Sequence, residues 1–176
     1  MANFCTVEQA HTCTRTPNFN PKDYETSMYH SAAVYLENLS NNSSYKQKSL
    51  KLNLPTLNAL EQFRMINKPS ISFREYLERF RDLGKISSID VISSLVLLKR
   101  LNKKGYLNRK TIFKQFLTCL YIATKFNNDT DFWNLSTFAA LAGIKASNLE
   151  KYERCMLNDL LNWDIKVSLE DAFEII

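Results

Sequence analysis

Glycine is scarce: only Gly84, Gly105 and Gly143 occur among 176 residues, and each stands where a helical pattern stops. A glycine-rich phosphate cradle or a dinucleotide fingerprint needs clustered glycines, so both are excluded. Histidine is scarcer still. His11 and His30 lie in the polar first part of the chain, which leaves the remainder without the usual general base and the commonest metal ligand. Acid pairs occur only as on any charged helix surface. No catalytic group, cofactor or small-molecule ligand is therefore expected.

Long apolar runs are also absent, none reaching the ~18 residues of a membrane span. The opening Met1-Ala-Asn-Phe-Cys5 lacks the charged and apolar regions of a signal peptide, so no membrane partner is expected and the location is expected to be cytoplasmic, nuclear or both. The four cysteines agree with a reducing compartment: Cys119 and Cys155 fall in apolar helical patterns, and Cys5 and Cys13 in the polar leader. Cys5, His11 and Cys13 lack a fourth ligand at a familiar zinc spacing, so no metal is expected.

What is present is one good core. The chain is 45% hydrophobic and 12% aromatic, enough for one domain with an extension. Its net charge of +5 is too mild to demand nucleic acid. From Phe116 to Phe126 the sequence is apolar or small around the whole helical circumference until Lys125, and a helix without a polar face must be surrounded by others.

The neighbouring punctuation supplies those others. Residues 1–55 read as a flexible leader and linker, with a short amphipathic helix over 24–39 carrying Met28, Ala32, Tyr35 and Leu39. Residues 56–176 read as the folded domain. Thr56 caps a first helix bearing Leu57, Leu60, Phe63 and Ile66, which ends before Pro69. Ser72-x-x-Glu75 opens a helix stopped by a left-handed Gly84. Ser87-x-x-Asp90 opens the next, closed by Lys103, Lys104 and Gly105. Asn108 caps the central helix, Asn134 starts a short one ending at Gly143, and Ser147-x-x-Glu150 opens a last helix with Leu149, Tyr152, Met156, Leu160 and Trp163 at helical spacing. No strand pattern competes, so the fold class is all-α.

Pro69-Ser-Ile-Ser-Phe-Arg-Glu-Tyr-Leu-Glu-Arg-Phe80, Leu95-Val-Leu-Leu-Lys-Arg-Leu101, Ala123-Thr-Lys-Phe126, Asn134-x-x-x-Phe-Ala-x-x-Ala-Gly-Ile144 and Leu157 to Trp163 together resemble the cyclin box of P-type (U/P class) cyclins. The resemblance covers about residues 69–173. It implies a single five-helix cyclin box with an N-terminal helical extension, acting without chemistry of its own as the activating subunit of a heterodimer with a cyclin-dependent protein kinase. It also implies that Lys125, with Phe126 beside it, and a glutamate of the last box helix clamp the kinase. Glu153 matches that glutamate but stands ten residues before Trp163, one more than the family spacing, so a helix irregularity or a shifted partner such as Glu150 is implied. The arginine and aspartate that many cyclins pair between their first two box helices are replaced by Ser70 and Lys99.

Seven cations, Lys99, Arg100, Lys103, Lys104, Arg109, Lys110 and Lys114, fall within sixteen residues that hold no acid. A solvated surface, a docking patch for acidic or phosphorylated substrate, and a nucleic-acid contact are the readings open to them, nucleic acid being the least favoured. A cyclin-fold transcription-complex module and a helical scaffold without a kinase are the alternative functions.

Overall fold

The computed structural model describes residues 21–42, 52–67, 69–128 and 134–175; Cys5, His11 and Cys13 lie outside them. Among these described residues eight α-helices follow in order: α1 (Pro21–Asn42), α2 (Leu54–Phe63), α3 (Phe73–Gly84), α4 (Ser88–Lys103), α5 (Ile112–Asn127), α6 (Leu135–Ala142), α7 (Ala146–Cys155) and α8 (Leu169–Phe173). A π-helical turn, Met156–Leu161, continues α7. No strand occurs among the described residues, and the all-α expectation holds.

The central helix is α5. Every residue from Phe116 to Thr124 is buried, as its apolar circumference requires. α4 lies along it, buried from Ser93 to Leu98, while α2, α7 and the π turn close other sides. Aromatic contacts complete the cage. Phe73 of α3 stacks on Phe113 and meets Phe116 edge-on, and Phe138 of α6 packs on Tyr121 with ring centres 4.9 Å apart.

Local capping follows the sequence at several ends. Ser72 with Glu75 and Ser87 with Asp90 form reciprocal capping boxes, and Asn134 accepts from the Thr137 N–H. Other ends differ from expectation. α2 is capped by Asn53, which accepts from the Thr56 N–H, because Pro55 occupies the first turn where its missing N–H costs nothing. This helix ends at Phe63, leaving Ile66 exposed. The left-handed residue closing α3 is Lys85 (φ 46°), not Gly84. Gly84 lies close against α6: a Cβ there would stand 2.6 Å from Leu141 Cδ2, so that side chain would have to shift. Asn108 sits one turn before α5, its side chain accepting from the Lys110 N–H as in an Asx turn. Ser147 forms no box. α7 starts at Ala146 after Lys145, so Ser147 is already inside the first turn, and Glu150 pairs with Arg154 instead.

The helix expected over 24–39 runs longer, from Pro21 to Asn42, and packs against α3 and α4. Met28, Tyr29, Ala32, Ala33 and Leu36 are buried, and the Tyr29 hydroxyl donates to the Ile86 carbonyl. α1 is thus part of the same core.

Candidate functional site

The end of α5 is held by a buried carboxylate. Asp90, 2% exposed, accepts from the Ser87 hydroxyl at 2.8 Å and from Asn127 Nδ2 at 2.9 Å, tying the start of α4 to the last turn of α5. That tie fixes the two residues just before it, Lys125 and Phe126.

Lys125 Nζ lies 2.8 Å from Glu153 Oε1 of α7. The lysine side chain is half exposed and the glutamate only 15% exposed, so the acid is set into the wall and the cation faces outward. Lys125 also stands over the Tyr121 ring at 5.9 Å. Burial, with Glu153 adding to it, pushes the Tyr121 phenol up to about 12, so it stays neutral. The pair borders a groove of about 420 Å³ whose apolar lining is Ile122, Phe126, Leu157, Trp163 and Ile165. Glu150 lines the same groove but bonds Arg154 at 2.9 Å, so of the two candidate acids it is Glu153 that faces Lys125.

The π turn accounts for the ten-residue spacing. Five-residue hydrogen-bond steps over Met156–Leu161 absorb one extra residue, keeping Glu153 opposite Lys125 while Leu157, Leu160 and Leu161 stay buried. The helix then ends in two consecutive left-handed residues, Asn162 (φ 52°) and Trp163 (φ 61°). For a bulky residue such as Trp163 that conformation is strained. Its side chain is 63% exposed and donates from Nε1 to Asn158 Oδ1. The helical period places Trp163 on the core face; the π turn rotates it out.

The seven cations do not form one free patch. Arg100 donates to the Asp164 and Lys166 carbonyls and to the Asp164 and Asp171 carboxylates. Lys99 pairs with Glu174 at 2.8 Å, Lys104 donates to the Leu160 carbonyl within the π turn, and Lys114 donates to the Gln62 and Arg64 carbonyls while standing over the Tyr152 ring. Lys103, Arg109 and Lys110 remain exposed. Arg109 and Lys110 line a second groove of about 530 Å³, floored by Phe73, Ile112 and Phe113.

No cluster of three metal-ligating side chains occurs among the described residues. No helix there is long and apolar enough to cross a membrane. Burial pushes the Cys119 thiol well up, consistent with a packing role.

A family model, Cyclin, matches residues 10–164. Cyclin-U1-1 of Arabidopsis thaliana is 30% identical over 113 residues, which is 62% of this chain and 53% of that relative, so the chain spans about half the length of the curated relative it matches. With the family model covering most of the sequence and the caged α5 in place, the chain belongs to the cyclin family.

Proposed function

We propose that this chain binds and activates a cyclin-dependent protein kinase through the face built by the end of α5, α7 and the π turn. The observation that carries the reading is the Lys125–Glu153 pair at the edge of an apolar groove. Fixed charges beside an apolar depression suit a partner helix that offers both an apolar side chain and polar termini. Activation is a population shift: a kinase is competent when its C-helix glutamate reaches the lysine that holds ATP phosphates, and a partner that binds only this inward arrangement favours it. The chain contributes no catalytic group to the reaction.

The test is Lys125→Ala and Glu153→Ala against the parent. Glu153→Ala strands only the half-exposed Lys125 and should melt within a few degrees of the parent, whereas Lys125→Ala leaves the largely buried Glu153 carboxylate unpaired and should melt lower; both should stay folded yet bind and activate the kinase more weakly. Undiminished activation by both would reject the clamp.

A second reading concerns substrate. Arg109 and Lys110 at the mouth of the groove floored by Phe73 and Phe113 favour recruitment of an acidic or phosphorylated segment. Charge reversal at both should lower turnover of such substrates and spare a short neutral peptide; equal turnover of both would remove this role.

A further inference from the structure

The segment after the π turn is held in an unusual way. Residues 164–175 cross α4 and include α8, which buries none of its residues; Leu169 and Phe173 are each 75% exposed. Ile165, Val167 and Ile175 pack against the core but are only partly buried, and a cavity of about 370 Å³ lies between the segment and the Ile92 and Ala123 surfaces of α4 and α5, so apolar burial here is incomplete. Polar anchors complete the attachment. The single Arg100 guanidinium, 18% exposed on its side chain, makes four charge-assisted bonds to the segment at 2.8–3.0 Å, and Lys99 adds two through Glu174. A planar fork satisfying two carbonyls and two carboxylates fixes the chain direction from Asp164 to Asp171.

What the segment presents is Ile165. This side chain lines both the groove beside Lys125–Glu153 and the cavity under the segment, with Phe126 common to the two. We infer that residues 164–175 form an electrostatically latched strap, and that Arg100 is a positioning residue which holds Ile165 as one wall of the kinase-binding groove. The inference rests on the kinase reading of that groove and deepens it: the partner meets an apolar wall that exists only while the latch is closed. Lys99 and Arg100 are then strap anchors, not a docking patch.

Arg100→Gln and the opposing double variant Asp164→Asn, Asp171→Asn test this in the full chain, with a cyclin-dependent kinase that co-purifies with the parent. Amide hydrogen exchange should show residues 165–175 losing protection in both variants while α5 keeps its own. Kinase affinity should fall about tenfold, the scale of losing one well-packed interface side chain, with Arg100→Lys intermediate because it keeps the charge without the fork. Raising salt should weaken strap protection and kinase binding together in the parent, and the salt slope should be shallower in Arg100→Gln. Undiminished affinity with a freed strap overturns the inference, as does a strap that stays protected without Arg100. Lys125→Ala measured alongside separates the two ideas: weak binding there with full affinity in Arg100→Gln rejects the strap alone, full affinity in Lys125→Ala rejects the clamp, and failure of the parent to bind any such kinase rejects both.

Discussion

α5 and the strap at 164–175 are stabilised in different proportions by apolar burial and polar bonds. α5 is buried from Phe116 to Thr124 among aromatic and aliphatic neighbours, whereas the strap buries Ile165, Val167 and Ile175 only in part, leaves Leu169 and Phe173 outside and is tied down by Arg100 and Lys99. The contrast teaches where this chain spends its packing energy. Apolar burial sets the scaffold, and directional polar bonds tie down the edge beside the groove.

The largest expected effect breaks the first side of that contrast. Leu120→Asp places an unpaired charge at a fully buried position, and a loss of more than ~4 kcal/mol should leave no cooperative thermal transition. A folded, soluble Leu120→Asp variant would show that α5 is not the centre. A smaller effect tests whether α1 belongs with the scaffold. Tyr29→Phe removes the hydroxyl that donates to the Ile86 carbonyl and should lower the denaturant midpoint by the equivalent of about 1–2 kcal/mol. On the strap side, Phe173→Ala should change global stability by less than ~0.5 kcal/mol, since the ring is mostly in solvent already. A loss comparable to that of a core residue would mean that the strap is packed after all.

Acid distinguishes the regions most gently. The Ser168 backbone N–H, followed by Arg100, holds the Asp171 carboxyl below its ordinary 3.8, and the hydrogen bond from Lys99 holds that of Glu174 below its ordinary 4.5. Because these values are depressed on folding, their contribution is complete above the ordinary carboxylate range and is lost as pH falls through the lowered values. Strap amides should therefore lose exchange protection in that acid window, and high salt should move the loss to higher pH. A strap insensitive to both would not be electrostatically latched.

Much of the scaffold is legible in the sequence because its signals are local. Ser72 with Glu75, Ser87 with Asp90 and Asn134 lie within one turn of the helices they start, and the apolar circumference of α5 is contiguous. Signals that mislead are those whose partners are distant. Ser147-x-x-Glu150 has the composition of a box, but the chain enters α7 before it and Arg154 takes the acid. The extent of α1 is hidden because Ala32 and Ala33 bury little area and because Tyr29 finds its partner 57 residues away. The cations at 99–114 look like one patch because their acceptors lie 50–75 residues distant in sequence. At the site, the cyclin resemblance leaves either a helix irregularity or a shift to Glu150 open, and a π turn is present between Glu153 and Trp163. Its consequence, an exposed Trp163 in a left-handed conformation, follows from the three-dimensional course alone.

Hydrogen exchange of the parent chain with and without the co-purified kinase tests the central claim most directly. The account predicts that bound kinase protects residues 122–126, 150–157 and 163–167, the three stretches that line the groove beside Lys125–Glu153. Protection confined to residues 65–73 and 109–113, around the second groove, with those three stretches unchanged, would contradict it.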